Sequence, residues 1–192
     1  MIIQADIPAR GPARLSLPVR IRPMQLTDVA QVHEIDQLSF SLPWPESAYR
    51  YELTQNLASA SWVAEVERPD GTPRVVGLVV IWLIVDEVHI ATIAVHPEYR
   101  GQGISQQLLA VVLRAALQRG ARSATLEVRA GNQVAKALYR RFKFDLVGLR
   151  PRYYHDNQED ALIMTVDLSN ASEYLAWLDS GAWSNNNSGG QD

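Results

Sequence analysis

Between an apolar strand end, Ile93-Ala94-Val95, and a long amphipathic segment the chain carries Arg100-Gly101-Gln102-Gly103-Ile104-Ser105-Gln106. Glycines let backbone N–H groups turn toward an anion. The helix that follows offers unpaired N–H donors and the positive end of its dipole, and Arg100 adds a full charge. Such a loop suits a pyrophosphate, although the same glycines would serve a plain tight turn. The phosphate pattern G-x-x-x-x-G-K-[ST] is absent, and G-x-G-x-x-G is not completed, because Gln106 stands three positions after Gly103. Nucleoside triphosphates and nicotinamide dinucleotides are therefore poor fits.

A second set of residues follows the next apolar stretch: Glu127 in Leu-Glu-Val-Arg, then Asn132, then Tyr139. Glu127 falls near the carboxyl end of a strand, where open α/β sheets place ligands. Asn132 is a natural N-cap, and a residue seven positions on lies two turns along and within about 20° of the same helix face. Taken singly these are a solvated strand residue, a cap and a half-buried ring. Their joint spacing behind the glycine loop is what points to a shared cleft. The histidines His33, His89, His96 and His155 show no H-x-x-x-H or H-E-x-x-H spacing, so no metal site is expected. With no cysteine in the chain there is no thiolate nucleophile, disulfide or thiolate metal ligand.

The elements that must hold these residues can be read from period and punctuation. Val19 and Ile21 alternate with Arg20 and Arg22 as a short strand, and Val29, Val32, Ile35 and Leu38 recur at helical spacing. Ser41 to Pro45 interrupts, with prolines on both sides of Trp44, before a second amphipathic segment over 46–55. Strands are predicted over 61–67, 74–85 and 87–95, forming an antiparallel meander. Leu108, Leu109, Val112, Leu113, Ala116 and Leu117 make one face of a helix over 105–119 that stops at Gly120. A strand over 123–129, a helix over 132–142 and strands over 144–149 and 161–167 complete the pattern. This order predicts an α/β fold with a mostly antiparallel sheet and one parallel strand pair joined by the 105–119 helix.

The chain has 192 residues, 47% hydrophobic and 20% charged, with a formal net charge of −3. That is enough for one globular domain and gives no general electrostatic reason to bind nucleic acid or an anionic membrane. No apolar run approaches the roughly 18 residues of a membrane span. Residues 1–18 read as a loose leader, 19–168 as the domain, and 169–192 as a tail with one short helix near 173–178 and a disordered polar end. The expected address is the cytoplasm.

The R-x-x-G-x-[GA]-like loop before a helix, the Leu-Glu-Val-Arg strand and the Asn132-x6-Tyr139 helix resemble the GNAT acyl-CoA-dependent N-acyltransferases over residues 19–168. More narrowly, Phe40-x-x-Pro43-Trp44, Asp86-Glu87, Ile93-Ala94-Val95, Ala137-Leu138-Tyr139 and Arg152-Tyr153-Tyr154 with Glu159-Asp160-Ala161 resemble the bacterial ribosomal-protein-alanine N-acetyltransferases. The resemblance implies a GNAT fold whose parallel pair splays around acetyl-CoA, a co-substrate used without a metal. It implies that Ile93, Ala94 and Val95 pair with the pantetheine arm, that Arg100, Gly101, Gln102, Gly103, Ile104, Ser105 and Gln106 cradle the pyrophosphate, and that Asn132 also touches the cofactor. Glu127 becomes the general base and Tyr139 the general acid. Trp44, Arg152, Tyr153 and Tyr154 become the acceptor-side candidates, on loops flanking the amine entrance. Ser105 stands where glycine or alanine is usual; it is small enough to fit and offers a hydroxyl.

On this reading the acceptor is a protein N-terminus, the alanine of a small-subunit ribosomal protein, and the enzyme is a monomer or weak homodimer. The rival readings are a GNAT acting on lysines or a small amine, and an acyl-CoA sensor without catalysis.

Overall fold

The computed structural model describes residues 18–184. Its elements are β1 (Val19–Pro23), α1 (Val29–Ser39), α2 (Glu46–Thr54), β2 (Ser59–Glu67), β3 (Pro73–Ile84), β4 (Glu87–Val95), α3 (Ile104–Gln118), β5 (Ser123–Arg129), α4 (Gln133–Arg141), β6 (Asp145–Tyr154), β7 (Glu159–Asp167) and α5 (Ala171–Asp179). The strands form one sheet in the order β1-β2-β3-β4-β5-β7-β6. Every neighbouring pair is antiparallel except β4 and β5, which run parallel. The mixed α/β architecture expected from the sequence is the one observed.

The middle of β3 is apolar on both faces because helices cover both. Val75, Leu78 and Val80 pack with Val29, Val32 and Ile35 of α1 and with Tyr49 of α2. Val76, Val79 and Ile81 belong to the opposite layer, with Leu108, Leu109, Val112 and Leu113 of α3. Gly77 is required by close approach: a Cβ there would stand 3.1 Å from Leu108 Cδ1 and 3.2 Å from Ile104 Cγ2. The start of α3 is thereby seated directly on the sheet.

The register between β3 and β4 slips once, from Val80↔Thr92 to Ile81↔Ile90, leaving Ala91 as an extra residue in β4. A bulge bends its strand and increases local twist. Next to it, β4 and β5 pair only from Glu87↔Ser123 to His89↔Thr125, and then part. The splay that opens the site begins at this bulge.

Two regions differ from the sequence expectation. Strand β6 continues to Tyr154 instead of ending at Leu149, so Arg152, Tyr153 and Tyr154 sit on its last turn-side residues and not on a loop. Arg152 there has φ of 52°, in the left-handed region, beside a register break between Arg150 and Tyr154. Second, the chain after Leu168 joins the core. Tyr174, Leu178 and Trp183 are buried, the Tyr174 hydroxyl donates to the Phe142 carbonyl at 2.7 Å, and Trp177 meets Phe142 edge-on. The proposed leader up to residue 17 and the polar end after Ser184 lie outside the described residues.

Candidate active site

Where β4 and β5 part, a cavity of about 1200 Å³ opens across the sheet. One end is made mostly of main chain. Beyond His89 no β5 residue pairs with β4, so Ile93, Ala94 and Val95 form a wall whose only strand partner among the described residues is β3. Arg100 follows, its Nε donating to the Val95 carbonyl at 2.9 Å and its Nη2 to Ser39 Oγ at 3.0 Å. The guanidinium is thus pinned at the rim. Gly101 and Gly103 both have φ of 77°, a backbone that disfavours side chains, and a Cβ on Gly101 would point into open space. Conformation, not crowding, calls for glycine in this loop. Helix α3 then starts at Gly103 with no side-chain cap, which leaves its first-turn N–H groups and its dipole for an anion.

The other end is made of side chains. On β5 the residues 123, 125, 127 and 129 share the less buried face. Parallel pairing of His89 with Thr125 brings His89 onto that face beside Glu127. Glu127 Oε2 lies 3.2 Å from His89 Nε2, and Oε1 lies 3.2 Å from Arg150 Nη2. The carboxylate is 12% exposed and Arg150 53% exposed. His89 stacks on Trp82 (centroids 5.4 Å apart, planes at 16°), and Trp82 stacks on Trp44 (6.3 Å, 14°). The Trp82 indole N–H is held by Glu52 at 2.9 Å. Trp44 itself is positioned from its backbone, whose N–H donates to the buried Asp36 carboxylate at 2.6 Å. Burial raises the Asp36 pKa above its ordinary value.

Tyr139 enters from α4. The Asn132 side chain caps that helix by accepting from the Ala135 N–H at 3.0 Å, and Tyr139 packs on Phe144 with its ring buried. Burial, and secondarily Tyr154, pushes the Tyr139 pKa up, so the phenol stays neutral at physiological pH. The Tyr154 pKa is pushed up to about 12, chiefly by burial.

A polar clamp closes the outer wall. Arg129 donates to Asp156 at 2.8 Å, to Glu159 at 3.2 Å and to Ser41 Oγ at 3.1 Å, with its guanidinium 3.9 Å from the centre of the Tyr154 ring. Ser41 also donates to Asp156. The clamp therefore ties the α1–α2 loop to the β6–β7 hairpin. Glu159 accepts from the Gly131 N–H at 2.6 Å, so close that a Cβ on Gly131 would stand 2.9 Å from its Oε1. The Asp156 pKa is lowered by the Ser41 hydroxyl and by Arg129; that of Glu159 is lowered first by the Gly131 N–H, then by Asn157 and Arg129.

Of the residues singled out from the sequence, Ile93, Ala94, Val95, Arg100, Gly101, Gly103, Ile104, Ser105 and Asn132 line the cavity. So do Glu127, Tyr139, Trp44, Tyr153 and Tyr154. Gln102 and Gln106 are not on its wall. Arg152, on strand β6, is exposed and not among the lining residues, and its backbone N–H donates to Asp160. The sequence reading passed over His89, Trp82 and Arg150, which do line it. Alternation along β4 would have put His89 on the face of Ala91 and Ile93, but only the β4–β5 register aligns it with Glu127.

Residues 29–144 match the acetyltransferase (GNAT) family. The chain belongs to that family. This GNAT domain is 38% identical over 149 residues to the putative ribosomal protein bS18-alanine N-acetyltransferase of Bacillus subtilis, covering 78% of this chain and 95% of that one. It is 36% identical over 166 residues to the N-alpha-acetyltransferase RimI of Mycobacterium tuberculosis, covering 81% and 96%. Among solved structures, the ribosomal-protein-S18-alanine N-acetyltransferase of Escherichia coli superposes with a TM-score of 0.69 at 28% identity, over 79% of this chain and 94% of that one. The GNAT fold extends to Arabidopsis thaliana NAA60 in complex with acetyl-CoA, with a TM-score of 0.70 at 22% identity over 78% and 98%.

Proposed function

We propose that this GNAT acetyltransferase moves the acetyl group of acetyl-CoA onto the α-amine of the N-terminal alanine of ribosomal protein bS18. The observation that carries the reading is the shared length and identity with the Bacillus subtilis alanine N-acetyltransferase, which the chain matches over 95% of that relative. The cavity supports it chemically. Its glycine loop and uncapped helix start fit a pyrophosphate, and its far end holds a carboxylate and a neutral phenol.

The donor lies along Ile93–Val95, with its pyrophosphate on the loop from Arg100 to Ser105. Main-chain N–H groups on the splayed β4 edge stabilise charge on the thioester oxygen. An α-amine has a pKa of roughly 7.7–8.0 against about 10.4 for lysine, so an appreciable fraction is already nucleophilic near neutrality and a modest base suffices. Glu127, directly or through water, takes the proton that nitrogen sheds on attack. Tyr139, kept protonated by burial, gives one to the departing sulfur. No cysteine is present to carry an acyl group, in keeping with direct attack in a ternary complex. Trp44 and Tyr154 flank the acceptor. The enzyme works in the cytoplasm, where ribosomal proteins are made; no described helix is long and apolar enough to cross a membrane.

The test is CoA release with two peptides bearing the bS18 N-terminal sequence, one with a free alanine amine and one with that amine blocked and a lysine present. Turnover only with the free terminus is expected. Turnover with the blocked peptide would overturn the α-amine reading in favour of lysine, and binding of acetyl-CoA without turnover would favour a small-amine substrate or a sensor.

A further inference from the structure

Acetylating an ammonium removes two protons from its nitrogen. One ends on the departing sulfur and the other has to leave the cavity. Given the reading of Glu127 as base, on which this inference rests, that carboxylate receives the outgoing proton and has to pass it on before it can act again. Its side chain is 12% exposed, with each oxygen facing one neighbour. Arg150, 3.2 Å from Oε1, is a guanidinium that is already fully protonated and accepts nothing. Tyr154, on the wall of the same cavity, has its pKa pushed up to about 12 by burial, keeps its own proton and offers no acceptor stronger than a phenol oxygen. The remaining neighbour is His89, whose Nε2 lies 3.2 Å from Oε2 and whose side chain is 23% exposed. An imidazole takes a proton on one ring nitrogen and loses one at neutral pH, the property of relay groups. The ring is also held in place: it stacks on Trp82, which stacks on Trp44 and is fixed through its indole N–H by Glu52.

We propose that His89 is the proton exit of the acetyl-transfer site. Glu127 removes a proton from the acceptor amine, His89 Nε2 takes it from Glu127 Oε2, and the imidazolium releases a proton to water, which regenerates the carboxylate and the neutral ring. The second nitrogen proton balances the one that Tyr139 delivers to sulfur. His89 is in this scheme a positioning and relay residue that acts through Glu127, not a group that touches the thioester.

The experiment is multiple-turnover acetylation of the alanine peptide, in which Glu127 has to shed its proton in every cycle, by wild type, H89A, H89Q and E127Q. For H89A a loss on the order of 10²-fold in rate is expected, with acetyl-CoA affinity unchanged. Added imidazole should restore activity in H89A, rising with the concentration of its free base, and leave wild type unaffected. H89Q, which keeps a polar side chain of similar reach but cannot gain and lose a proton near neutral pH, should stay as slow as H89A. A rate for H89Q within about twofold of wild type, or an H89A deficit that no concentration of imidazole relieves, overturns the proposal. E127Q separates this outcome from failure of the underlying reading. If E127Q is slow while the His89 variants are not, only the relay falls; if E127Q keeps the wild-type rate, the base assignment falls with it.

Discussion

On the proposed reading the donor end of the cavity recognises its ligand through main chain: the β4 edge released by the Ala91 bulge, the left-handed glycines and the uncapped start of α3. At the proposed acceptor end recognition falls to side chains from elements far apart in sequence, with Ser41, Trp82, His89, Glu127, Arg129, Arg150 and Asp156 meeting across the α1–α2 loop, the sheet and the β6–β7 hairpin. The difference suits the two ligands. A nucleotide donor keeps the same pyrophosphate in every reaction, and backbone amides recognise it at little cost in side-chain entropy. An acceptor varies in side chains and needs an acid–base group at one atom, which only positioned side chains supply.

The comparison predicts that damage to one end leaves the other intact. The largest effect is expected at Glu127. E127Q should lower kcat by roughly 10²- to 10⁴-fold while the KM for acetyl-CoA is unchanged, as steady-state kinetics with both substrates varied will show. Next, G103V places a β-branched side chain at a φ of 77°. Strain of about 1–3 kcal/mol should weaken acetyl-CoA binding on the order of 10- to 100-fold by calorimetry, with little effect on the KM for peptide. If peptide affinity fell equally, the two ends would not be separable.

R129Q should do the reverse. Removing a charge that holds Asp156, Glu159 and Ser41 releases the hairpin from the α1–α2 loop, and the peptide KM should rise about 10-fold, in line with roughly 1.5–3 kcal/mol for charged hydrogen bonds. The donor KM should not move. The same clamp predicts a pH effect. The folded pKa values of Asp156 and Glu159 are depressed, so their contribution is present above the unfolded carboxylate range and is lost as pH falls through the lower folded values. Protection of the β6–β7 hairpin amides relative to their intrinsic exchange rates should therefore fall below about pH 4, and the D156N/E159Q variant should show low protection at every pH. The smallest effect belongs to a pair outside both ends. Asp179, 66% exposed in its contact with Arg114, should cost less than about 1 kcal/mol as D179N in thermal unfolding and nothing in either KM.

How legible the molecule was follows the same division. The glycine loop, the cap at Asn132 and the apolar face of α3 are local features, each readable within a few residues, and each is found where expected. The helices and the meander are carried by periodicity that tertiary packing did not override. Only the end of β6 departs from the expected strand over 144–149, because Arg150 to Tyr154 lacks apolar alternation; its place comes from pairing with β7 across a register break. Arg152 was misplaced for the same reason. In the sequence His89 offers only its spacing to the other histidines, and spacing along one chain cannot show what stands beside it on the neighbouring strand.

By itself, then, the sequence determined the element order, the glycine loop before α3 and the placing of Glu127 and Tyr139 on one strand and the helix after it, both on the wall of one cavity. These depend on backbone preferences and on spacings within about fifteen residues, where chain geometry leaves few alternatives. Tertiary structure alone decided which face of β4 meets Glu127, how Arg129 gathers Ser41, Asp156 and Glu159, and that α5 with Tyr174 and the turn after it with Trp183 close the core. Those contacts join residues dozens of positions apart, and a one-residue change of register would have turned each of the strand residues to the opposite face.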